Sequence, residues 1–194
     1  ENKSVKTILE KQGKVKGRLR KIQTKHLAGE KTKEVLYKEN NCVFRFNIDS
    51  TYFSPRLSNE RKEIASKIKK NDKVLVMFSG VAPYSIVIAK NSKTKKVFSV
   101  EINREANKYA KLNVELNKVK DKIELVQGDI KRVVGKLCEE KVRFSQRQLE
   151  IAFPRREGKS KKTAGCFDVI VMPRPQLKDS FLREAFILSK KNTR

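Results

Sequence analysis

Four short segments set small, acidic or proline-bearing residues directly after apolar runs. Phe78-Ser79-Gly80-Val81-Ala82-Pro83-Tyr84-Ser85 follows the run beginning at Lys73. Small residues there let a backbone approach a ligand closely and turn into a helix N-terminus. Glu101 closes a second run, KVFSVEI, about 20 residues beyond that loop, the distance at which an acid accepts hydrogen bonds from ribose hydroxyls. Gly128-Asp129 follows a third run, KIELVQ, where Asp129 can accept from an adenine amino group. Met172-Pro173-Arg174-Pro175 follows a fourth, FDVIVM. Gly80 with Ala82 alone would say little, because tight strand-to-helix turns need small residues. Ligands of open parallel sheets bind beyond the carboxyl ends of the strands. Four such segments in register therefore describe a pocket for an adenosyl ligand.

The elements around these segments fit that placement. From Leu57 onward, apolar runs alternate with helical spacing: LSNERKEIASKI, PYSIVIAKNS, REANKYAKLNVELN with Asn103 as N-cap, IKRVVGKLCEE and DSFLREAFILSKK. Alternating strands and helices predict an α/β fold with a parallel sheet, whose strand order the sequence does not encode. Upstream, a helix is expected over 4–12 and strands over 18–24 and 33–38. CVFRFNI then puts Cys42, Phe44, Phe46 and Ile48 on one face. The expected organisation is a small basic α+β module over 1–50 and a second domain over 51–194. Residues 140–165 are too long for an ordinary helix-to-strand connection. They mix Lys and Arg with Phe144 and Phe153, as a solvated insertion or a basic arm would.

Charge points to the partner. The 194 residues carry 47 Lys and Arg against 22 Asp and Glu, a formal net charge of +25. Such an excess in a chain with 38% hydrophobic residues suits a polyanion, nucleic acid foremost. No apolar run is long enough to span a membrane. Cys42, Cys138 and Cys166 form no C-x-x-C pair, and His26 completes no metal pattern. The expectations are reduced thiols, no metal, no membrane, a cytoplasmic setting without a signal peptide or lipidation motif, and a monomer.

The stretch Phe53-Ser54-Pro55-Arg56-Leu57 with Glu60-Arg61 sits where the module ends and the alternation begins. Together with MFSGVAPYSIVIAK, VEIN, LNVELNKVKDKIELVQGD and DVIVMPRP, it resembles the archaeal and eukaryotic tRNA (guanine-37, N1)-methyltransferases. The resemblance runs from Val15 to Leu188, interrupted by 140–165. It implies a Rossmann-like class I methyltransferase sheet, truncated after its fourth strand, preceded by a small α+β RNA-binding module. The final strand would then keep an open edge unless something covers it. It further implies S-adenosylmethionine as cofactor and tRNA as partner. By the same resemblance, Arg56, with Met172 and Pro173, lies at the target guanine. Arg61, Phe78, Ser79, Gly80, Val81, Ala82, Tyr84, Glu101, Ile102, Asn103, Gly128, Asp129 and Ile130 would form the donor site, with Arg61 alternatively a structural partner of a nearby acid. Tyr52, Phe53 and Tyr84 are candidates to pack on the base. The chain departs from the family pattern at Val76 (Asp in the family), Ser79 (Ala), Ala82 (Gly) and Met172 (Asn). A non-catalytic RNA-binding paralogue, or a methyltransferase acting on another RNA or a modified guanine, remains open beside the main reading.

Overall fold

In the computed structural model, which describes residues 5–17, 19–137, 165–173 and 180–194, the apolar runs form one parallel sheet. Its strands are β5 (Lys73–Met77), β6 (Lys96–Glu101), β7 (Ile123–Gln127) and β8 (Val169–Val171), in the order β7-β6-β5-β8. Pairing is parallel throughout, with Met77 opposite Val100 and Glu101 opposite Gln127. The central strand β5 is buried on both faces, as expected of parallel sheets. Val74 and Val76 join one core with helices α1 (Ser58–Ser66), α2 (Pro83–Asn91) and α3 (Arg104–Leu116). Leu75 and Met77 join a second core on the opposite face with α4 (Ile130–Val133) and α5 (Leu182–Leu188).

Upstream lie two antiparallel hairpins: β1 (Thr7–Lys16) with β2 (Lys21–Gly29), and β3 (Glu34–Glu39) with β4 (Cys42–Asn47). The helix expected over 4–12 is therefore replaced by strand from Thr7 onward. Backbone pairing with β2 is a non-local term that local spacing does not reveal. The second hairpin enters the first core through Cys42, Phe44 and Phe46, with Phe53 stacked on Phe46 at 4.7 Å between ring centroids. None of the described side chains of β1 and β2 is buried.

Two asparagines, Asn113 on α3 and Asn117 at its C-terminal cap, hold β4 in place. Asn117 accepts from Val43 N at 2.9 Å and donates to Val43 O at 2.7 Å. One turn earlier, Asn113 accepts from Arg45 N at 2.7 Å and donates to Arg45 O at 3.1 Å. The two amides thus do what a neighbouring strand would do at two alternate residues of β4.

At the other sheet edge, β8 is not left bare. Ile170 N–H donates to Arg194 O and Arg194 N–H donates to Asp168 O, both at 3.0 Å. Cys42 is a buried free thiol, but Cys166 is disulfide-bonded, which corrects the expectation of reduced thiols. A C-x-x-C search does not see cysteines paired across sequence distance. Cys138 and most of 140–165 lie outside the described residues. No helix among the described residues is long and apolar enough to cross a membrane.

Candidate functional site

A cavity opens where β5, β6 and β8 end. The loop after β5 contributes Phe78, Ser79, Gly80, Pro83 and Tyr84; the end of β6 contributes Glu101 with Asn103 and Ala106 behind it; Pro173 follows β8. The opposite wall comes from upstream: Leu19 and Arg20 from the β1–β2 turn, then Tyr52, Phe53, Ser54, Leu57 and Arg61.

The loop is shaped by three residues in left-handed backbone, Phe78 (φ 56°), Gly80 (φ 59°) and Ala82 (φ 66°). Only glycine adopts that region without a steric cost, so two of the three store strain here. Glu101 braces the loop. One carboxylate oxygen accepts from Gly80 N and the other from Asn103 N, each at 2.7 Å. A carboxylate has about four lone-pair sites, so each oxygen keeps capacity for a ligand hydroxyl. Ser79 adds an unusual feature. Its hydroxyl is buried and has no hydrogen-bond partner, although the residue lines the cavity. Unsatisfied buried polar atoms are rare and costly, and a polar ligand would supply the missing partner. On these observations the cavity fits an adenosyl donor.

Other residues singled out in the sequence make contacts within the chain, and of these Arg61, Tyr84 and Asn103 also line the cavity. Arg61 is buried, with side-chain exposure of 1%, and forms a bidentate pair with Glu39 of β3. It also donates to Ser54 O at 3.0 Å. The cavity therefore meets an arginine whose fork is already engaged by an acid, the structural alternative. Asn103 caps α3 through Glu105 N and Ala106 N, and its amide donates to Ser50 O and Leu19 O. Tyr84 donates to Glu60 at 2.6 Å; burial, then that bond, raises its pKa, so the phenol stays protonated. Val81 and Ala82 are fully buried in the first core and Ile130 in the second. Asp129 caps α4 by accepting from Lys131 N at 3.1 Å, and with Ile102, Gly128 and Ile130 it lies outside the cavity lining.

Of the three residues expected at the target guanine, Pro173 lines both the cavity and an apolar groove beside β8, and the half-exposed Met172 lines that groove with Ile64, Ile68 and Val171. Arg56 is exposed on a one-turn 3-10 helix, Pro55–Leu57, outside the lining but between its members Ser54 and Leu57. Sequence reasoning missed Arg20 altogether. Its guanidinium carbon lies 3.3 Å from the centroid of the Tyr52 ring. The one available signal was Gly17, which marks a turn but not where that turn folds.

Comparison with known proteins agrees with this fold. The family model described as the TRM5/TYW2 methyltransferase domain matches residues 35–149. A Nanoarchaeum equitans protein, tRNA (guanine(37)-N(1))/4-demethylwyosine(37)-methyltransferase Taw22, is 36% identical, over 98% of this chain and 72% of its own length. Among solved structures, Pyrococcus abyssi Trm5b is similar with a TM-score of 0.72 and 29% identity, over 99% of this chain and 48% of that one. Methanocaldococcus jannaschii Trm5 in complex with adenosine is similar with a TM-score of 0.66 and 30% identity, over 88% and 43%. The chain spans between a quarter and a half of the length of the other curated relatives it matches.

Proposed function

This chain belongs to the TRM5/TYW2 methyltransferase family, and on that premise we propose that it transfers a methyl group from S-adenosylmethionine to N1 of guanine 37 in tRNA. The observation that carries the reading is the shared cavity. One wall is a braced loop at the ends of a parallel sheet, and the other comes from the basic upstream segment. The donor brings an electrophilic methyl group. The chain's own residues hold it and present the base. Glu101 fixes the loop and retains lone pairs for ribose hydroxyls. The Ser79 hydroxyl offers a further polar contact.

Guanine N1 carries a proton at neutral pH, so transfer requires that proton to leave and the charge developing on the purine to be stabilised. Arg56 stands at the rim, free to meet guanine O6 once RNA docks, and a guanidinium fork suits that edge. The base must leave its stack to enter. Residues 1–50 serve as the RNA-contacting module, and the protein works as a monomer in the cytoplasm. Methylation of a G37 transcript tests the reading. Arg56→Ala is expected to slow transfer by ~10²–10³ while donor affinity stays within about twofold. Equal loss in both would move Arg56 from chemistry to pocket structure.

A second substrate is favoured by one observation. The N. equitans relative that matches 98% of this chain is named for both guanine-37 and 4-demethylwyosine-37. 4-Demethylwyosine at position 37 is accordingly the alternative base, separated by assaying both substrates.

A further inference from the structure

Arg20 is a residue of the cavity whose chemistry the donor loop does not use. Its face is fixed by the Tyr52 ring at 3.3 Å, which leaves the guanidinium edge, with five N–H donors, as its binding surface. Among the described residues that edge makes no hydrogen bond or ion pair. The acid of the lining, Glu101, accepts from Gly80 N and Asn103 N and makes no ion pair with Arg20.

The chain holds Arg20 there at a cost. Its φ is 52°, a left-handed conformation that a long side chain rarely adopts, and its N–H closes the turn onto Gly17 O at 3.1 Å. The turn is tied to the pocket on both sides. Asn103 donates to Leu19 O, and Ile22 N–H donates to Asp49 O at 3.1 Å. Asp49 in turn accepts from Thr24 at 2.6 Å and pairs with Lys33. A strained, anchored, pre-stacked arginine with a free fork is pre-organised for a bidentate oxyanion.

We propose that Arg20 binds a phosphate of the substrate RNA beside the target nucleotide, so that the β1–β2 turn positions RNA directly over the donor pocket. The phosphate is favoured over the donor's carboxylate because Arg20 arrives on a hairpin bearing Lys11, Lys21 and Lys25 rather than on the donor loop. The identity of the RNA rests on the proposed function; the phosphate contact does not require catalysis.

The test uses the full chain with a fluorescent anticodon stem-loop containing G37, and separately S-adenosylmethionine alone. Arg20→Ala is expected to weaken stem-loop binding about tenfold and to reduce the slope of log K against log salt by about 0.7–0.9, one phosphate's share. Donor affinity should stay within about twofold. Tyr52→Leu, which removes the stack but keeps the charge, should weaken binding less and leave the slope unchanged. Weakened donor binding with an unchanged salt slope would overturn the proposal and assign the anion to the donor's carboxylate. An unchanged stem-loop affinity would overturn it outright. A wild-type chain that binds the stem-loop without methylating it would sink the proposed reaction alone, since the slope still reads Arg20. A wild-type chain that does not bind the stem-loop would overturn both.

Discussion

The guanidinium of Arg61 closes onto the carboxylate of Glu39, with side-chain exposures of 1% and 3%. One partner stands on the hairpin β3–β4 and the other on α1, so the pair joins the upstream segment to the sheet. Removing one member of a buried pair leaves a charge without compensation, which costs about 3–5 kcal/mol. Glu39→Ala is therefore expected to lower the unfolding free energy by that amount in a denaturant titration. A loss under about 1 kcal/mol would show that the pair contributes little.

The strand-like amides of α3 give a second prediction. Asn113→Ala removes the acceptor of Arg45 N and strands a backbone N–H, at about 1–3 kcal/mol. Amide exchange at Arg45 should accelerate, with Val43 less affected because Asn117 still holds it. Exchange that stays slow at Arg45 would mean another acceptor takes over.

Ser79→Ala is expected to act with opposite signs on stability and binding. The hydroxyl is buried without a partner, so its loss should leave the free protein as stable or more stable. Donor affinity should fall several-fold, because the ligand loses the contact. Destabilisation with unchanged donor affinity would make the hydroxyl a structural group.

Asp49 supplies a pH prediction. Burial raises its pKa, but the bonds from Lys33 and Thr24 outweigh burial and hold it below its usual 3.8. A depressed folded pKa means stability that is present above the unfolded value and lost as pH falls through the folded one. Asp49→Asn should therefore lower the melting temperature at pH 7, and the difference from wild type should vanish as pH drops well below 3.8. A difference that persists at low pH would assign the effect to packing.

The sheet was legible because its strands are continuous apolar runs, and Asn103 announced itself as the cap of α3. The loop Phe78–Gly80 and Glu101 were legible too, since the ends of parallel strands are where ligands bind. What escaped depends on distant partners. Nothing local distinguishes Arg61, bound to Glu39, from a ligand-binding arginine. Thr7–Lys16 is a strand only because β2 lies beside it. Arg20 reached the cavity by a turn whose direction is set by Asn103 and Asp49, far along the chain.

Calorimetric titration of S-adenosylmethionine into the chain at low salt, repeated with Glu101→Ala, tests the central claim most directly. The wild-type chain should bind on the order of micromolar, and the substitution should weaken binding at least about tenfold, since Glu101 both braces Gly80 and lines the cavity. Equal affinity in both proteins, or no binding by the wild type, would contradict the assignment of this cavity to the methyl donor.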